Sequence, residues 1–158
     1  MNPETEMRHP VLYLFILVAL GLLVAASLGG GPWGAGSTLQ HWTGELFRGI
    51  CHQNPLRSYS VNGVQMAVNT RCFGVFSGLL AGWLMIPVMI RIKPGKSVIV
   101  GILLFAVLLQ IIDFSGNLFE LWSNTNHSRF LAGTLPGIAA VLFISELFIQ
   151  PDPKLHEQ

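Results

Sequence analysis

Long apolar runs alternating with short polar breaks dominate the chain. "VLYLFILVALGLLVAASLG" fills residues 11–29 without a charge, "CFGVFSGLLAGWLMIPVMI" residues 72–90, "SVIVGILLFAVLLQII" residues 97–112 and "AGTLPGIAAVLFISELFI" residues 132–149. A helix needs about 20 apolar residues to cross a bilayer. Backbone groups in lipid must also be paired within their own segment, so each run reads as a helix. The third reaches full length only by extending through Asp113. The pattern predicts an all-α integral membrane protein, one domain over 1–150, with spans at about 11–29, 66–90, 97–113 and 131–149 and a cytoplasmic tail over 151–158. A signal peptide over residues 8–27, with "AAS" as its cleavage point, is the alternative for the first run. That run is longer than the roughly 7–15 apolar residues of a signal core, so an uncleaved span is expected.

Residues 38–53 follow a different period. At about 100° per residue, Leu39, Trp42, Thr43, Leu46, Phe47 and Ile50 share one face and His41, Glu45, Arg48 and His52 the other. This predicts an amphipathic helix on the membrane–water boundary, anchored by Trp42 and ended by Pro55. His41 and Glu45, four apart, read as a surface pair. His52 is expected to point toward Cys72. Asn62–Gly63 marks a turn before the chain re-enters the membrane.

Glycines stand four apart on the second run, at Gly74, Gly78 and Gly82, and on the fourth, at Gly133 and Gly137. Such small-residue stripes let helices approach closely where lipid supplies no hydrophobic drive. They are expected to meet inside one bundle, with a homodimer seam as the alternative.

Charge adds orientation. Half of the 158 residues are hydrophobic, and only nine are Lys or Arg and eight Asp or Glu, so no basic footprint for nucleic acid exists. The tight basic turn "RIKPGK", residues 91–96, belongs on the cytoplasmic side. Four spans then place both termini inside, and put Arg48, Arg57, Arg71 and Arg129 outside.

The polar residues between spans carry a resemblance. "ICHQNPLRSYSVNG", "NTRCFGVFSG" and "IIDFSGNLFELWSNTNHSRFLAGTLPG" resemble the small bacterial membrane proteins grouped as domain of unknown function 2085 (DUF2085). Cys51, His52, Gln53, Arg57 and Tyr59 fill the first element of that pattern, and Arg71, Cys72 and Gly74 most of the second. Asp113, Asn126, Arg129, Gly133 and Gly137 fill the rest. One position departs: Asn69 stands where the family usually has cysteine, which removes a soft ligand. The resemblance implies a four-helix protein of the bacterial inner membrane and carries no established activity.

The predicted topology gathers Cys51, His52, Cys72, Asp113, His127 and Arg129 on the outer side. Ionisable groups at the membrane edge pair with one another, so Asp113 is expected to meet Arg71 or Arg129. For the cysteines three readings stay open. One is a Cys51–Cys72 disulfide in an oxidising compartment. Another is a transition-metal site of Cys51, His52 or His127, Cys72 and Asp113, suited to zinc, copper or iron. The last is a pair of structural thiols. No nucleotide loop, H-E-x-x-H or nucleophile elbow is present. The functional expectation is therefore a non-catalytic accessory or structural subunit of a larger membrane complex, in contact with lipid and other subunits. A metal-dependent or redox enzyme, or a transporter or lipid-handling protein whose arginines grip an anionic group, are the alternatives.

Overall fold

The computed structural model describes residues 10–34, 38–92 and 94–145, the side chains of residues 38–41 excepted. Glu146, the tail and the side chain of His41 lie outside the described residues. Among the described residues five α-helices form: α1 (Pro10–Ser27), α2 (Thr38–Phe47), α3 (Thr70–Ile92), α4 (Lys96–Leu118) and α5 (Asn126–Ser145). Two-residue strands β1 (Ser60–Val61) and β2 (Val64–Gln65) pair between α2 and α3. Helices α1, α3, α4 and α5 are each long and apolar enough to cross a membrane.

The centre of the bundle is the α3–α5 pair. Gly74 lies against the Phe130 carbonyl, Gly78 against Thr134, and Gly82 against Ile138 and Val141, so the two helices run parallel. From the other side, Gly133 meets the Arg71 carbonyl and Gly137 that of Val75. A methyl group at any of these glycines would strike backbone or a packed side chain. The stripes thus bring two backbones together, which is how helices associate without a hydrophobic gain over lipid.

Helix α1 docks on α3 through a clasp. The Trp83 indole N–H donates to the Tyr13 carbonyl at 3.0 Å, the Tyr13 hydroxyl donates to the Trp83 carbonyl at 3.4 Å, and the rings stack 5.7 Å apart. Trp83, Ile86, Ile90 and Val141 are buried around it, with Ile16, Leu17 and Leu20 of α1 packed against them. Helix α4 returns the chain between α3 and α5 and keeps most of its apolar side chains uncovered, Phe105, Ile111 and Phe114 among them.

Two helix ends depart from the expected spans, each for a local reason. Helix α4 runs beyond Asp113 to Leu118. It ends where Glu120 takes a φ of 57°, with Leu121 N–H donating to Gly116 O at 2.9 Å and Glu120 N–H to Asn117 O at 3.4 Å. That is a Schellman ending built without glycine. Helix α5 starts at Asn126 because the Thr125 hydroxyl accepts from Ser128 N–H at 3.2 Å, an N-cap that satisfies a first-turn donor. Both ends lengthen the helices toward the same polar crown.

Candidate functional site

That crown covers the ends of α1 and α4 and the starts of α3 and α5. Its frame is the segment 48–69. Helix α2 ends at Phe47 rather than continuing to residue 53, and the chain turns back with the Cys51 N–H on the Phe47 carbonyl at 2.9 Å. Gln53, at a φ of 49°, then fastens three pieces. Its amide donates to Gly44 O at 2.6 Å and Ala67 O at 2.9 Å, and its carbonyl accepts from the Gln65 amide at 2.9 Å. Asn62 and Gly63, with φ of 51° and 78°, make the two-residue turn of the hairpin, both in the left-handed region such turns require. Ala67 N–H donates to Ser27 O at 3.1 Å and ties the strip to the end of α1.

The early end of α2 changes which residue faces inward. Cys51 is buried with Phe47, Ala67 and Val68, and Cys72 packs against this cluster. The two thiols are neighbours, and both are free. The Cys51 sulfur also accepts from the Asn69 N–H at 3.1 Å. His52, expected to point toward Cys72, is exposed instead, because the helical phase that carried the expectation stops at Phe47. On α2, Thr43 and Phe47 are buried, while Trp42, Leu46 and, in the turn after it, Ile50 remain uncovered. Glu45 pairs with Arg48 at 2.6 Å.

The charged part of the crown is built on α3, α4 and α5. Asp113 receives an Arg71 guanidinium N–H on one oxygen and the Asn124 amide on the other, the latter at 2.8 Å. Arg129 lies within electrostatic range of Arg57, Arg71 and Asp113. Arg57 is exposed, and its carbonyl holds the Thr70 hydroxyl at 3.1 Å, which pins it to the start of α3. The Asn126 amide donates to Ser58 O at 3.3 Å, while Asn126 Oδ1 and Arg71 Nε are buried without partners. His127 is exposed, its Nδ1 sharing a 3.0 Å hydrogen bond with the Tyr59 hydroxyl.

The structure therefore sorts the sequence candidates into three groups. Cys51 and Cys72 stand together; Asp113 sits among Arg57, Arg71 and Arg129; His127 and Tyr59 pair at the rim. Among the described residues, no three His, Cys, Asp or Glu side chains are placed to hold a metal ion, so Cys51, His52, Cys72, Asp113 and His127 are not brought into one ligand set. Sequence reasoning missed Asn124 as the second partner of Asp113, and Ser58 as a junction that joins Asn54, Asn69 and Asn126. Only the asparagine-rich stretch around them hinted at it. The groove between α1 and α2, about 450 Å³, is lined by side chains such as Leu22, Leu23 and Leu46 and has little polar surface with which to orient a polar molecule.

Four apolar helices carrying a polar crown at one end define a multi-pass integral membrane protein. The chain belongs to the predicted membrane protein family DUF2085, whose family model matches residues 51–143. It is similar to the uncharacterized protein MJ1492 of Methanocaldococcus jannaschii, an archaeon, with 33% identity over 101 residues that make up 64% of this chain. The matched region spans 65% of that relative's length. No solved structure matches the chain.

Proposed function

We propose that the protein is a non-catalytic accessory subunit of a larger membrane assembly, with the polar crown on the outer face and α2 lying on the membrane boundary. The observation that supports this reading is the state of Asp113. Among the described residues it is the carboxylate that the crown's arginines face, and its two oxygens are engaged by Arg71 and Asn124. With an arginine on one oxygen and an amide on the other, this carboxylate joins α3 to α4 and its following loop, which is a structural task. Other polar residues of the crown act likewise, with Gln53, Ser58, Asn69 and Thr70 bonding backbone or one another.

Such a crown is a rigid surface for another subunit to rest on, and α1 and α4 offer long apolar flanks to lipid or to neighbouring helices. Native mass spectrometry of protein extracted directly into lipid nanodiscs tests the reading. The expected result is a hetero-assembly of fixed stoichiometry. A lone 17.3 kDa chain, or copies of this chain only, would overturn it.

A further inference from the structure

We propose that the first turns of α3 and α5, together with Arg57, form a binding site for a dianionic phosphate monoester group. The charge balance of the crown motivates it. Arg71 stands in the first turn of α3, and Arg129 donates its N–H to Thr125 O as α5 begins. Neither helix has an acidic residue in its first turn. A helix N-terminus already carries roughly half a positive charge, so cations there are placed against the dipole. Two such termini and three guanidiniums share one neighbourhood, and among the described residues Asp113 is the carboxylate that opposes them there. Three positive charges less one leave two, before the helix termini are added.

An arrangement of this kind repels itself unless an anion occupies it. The unspent donors fit that purpose. Arg71 gives a terminal nitrogen to Asp113, while its Nε is buried with no acceptor. A buried guanidinium N–H without a partner costs stability, and an oxyanion would relieve it. Arginine forks bind phosphate through paired N–H groups. Helix N-termini add backbone donors to the same class of ligand. Three guanidiniums from three segments suit a tetrahedral group with several oxygens and two charges better than a planar carboxylate with one. Asp113 holds Arg71 in place without cancelling the excess. Such a site would bind its anion whether or not the protein is an accessory subunit.

The ligand can come from a lipid head group or from solution, and the experiment separates them. The protein is placed in phosphatidylcholine nanodiscs and its thermal unfolding is followed as inorganic phosphate is added. Chloride at equal ionic strength is the control. In a second arm the nanodiscs contain phosphatidic acid, a monoester, or phosphatidylglycerol, a diester of single charge. The expected result is a saturable rise in unfolding temperature with inorganic phosphate, phosphatidic acid or both. A rise with phosphatidic acid alone assigns the site to a lipid head group, and a rise with inorganic phosphate to a soluble ligand.

Arg129→Gln and Arg57→Gln should each weaken binding by about tenfold or more. Arg48→Gln, just past α2 and paired with Glu45, should leave it unchanged. Arg57 is exposed, so its variant reports on binding even if Arg129→Gln fails to fold. The proposal is overturned if neither phosphate nor phosphatidic acid stabilises beyond chloride. Phosphatidylglycerol matching phosphatidic acid, or Arg57→Gln binding as the parent does, would overturn it too.

Discussion

Asp113, five residues before the end of α4, holds Arg71 of α3 and Asn124 of the following loop on its two oxygens. The pair is largely shielded, with the side chains 30% and 18% exposed for Arg71 and Asp113. It is the charged tie between α3 and α4, two helices whose apolar faces make little contact. Its loss should be felt at both the bundle and the loop.

Asp113→Asn leaves a shielded guanidinium without a counter-charge, and should cost about 2–4 kcal/mol of stability. Arg71→Gln should cost a comparable amount. The double variant should lose clearly less than the sum, because each single change strands the other partner. Unfolding in mild detergent, followed by helical circular dichroism, gives the three values. Simple additivity would mean that the two side chains do not act as a pair.

A side chain at Gly133 would meet the Arg71 carbonyl, whereas one at Gly21 of α1 would meet nothing. Gly133→Val should therefore force α3 and α5 apart and lower stability by about 1–3 kcal/mol. Gly21→Ala should change it by no more than a few tenths. Paired unfolding curves of the two variants, read against the parent, decide the matter.

The Trp83 indole spans from α3 to the Tyr13 carbonyl of α1. Trp83→Phe removes that donor and keeps most of the ring, so a loss of about 1 kcal/mol is expected, from the hydrogen bond. Tyr13→Phe should lose less, since its bond is the longer at 3.4 Å. Limited proteolysis before α1, compared among the three proteins, would register any loosening of the first helix. Equal behaviour of all three would assign the clasp to ring packing alone.

Cys51 and Cys72 are free and pack together. A small-molecule disulfide added as oxidant should accept their two electrons and leave both sulfurs linked, with its own two thiols released. Closing a loop of about 20 residues in this way should stabilise the fold by around 3 kcal/mol in the chain-entropy model. Counting alkylatable thiols before and after treatment measures the reaction. Two thiols still titrating after exhaustive oxidation would show that the burial of Cys51 denies the reagent access.

The spans were readable from the chain because lipid imposes one rule on every residue within it, and long charge-free runs have no other use. The glycine stripes were readable for a related reason: spacing of four places Gly74, Gly78 and Gly82 on one helix face whatever surrounds them. The Asn62–Gly63 turn announced itself through local backbone demands. The crown obeys no such local rule. Asp113 looks like a boundary residue, and only Asn124 and Arg71, distant in sequence or separated by a turn, let α4 continue past it. His52 turns away from Cys72, while Cys51 stands beside it as expected, because α2 stops six residues before Gln53, where the side-chain phase changes. Gln53 itself bonds Gly44 and Ala67, which no periodicity could announce.

The parallel pairing of α3 with α5 has a consequence for how the protein is made. A parallel neighbour cannot arrive as a simple hairpin, so α3 waits in the bilayer while α4 and then α5 are synthesised. During that interval its glycine face has no partner. The Arg71 guanidinium, next to the start of α3, likewise precedes by some forty residues of synthesis the carboxylate that neutralises it. Until Asp113 emerges, water, lipid phosphates or the insertion machinery must hold that charge. The α3–α5 glycine seam is thus among the last contacts of this small bundle to form.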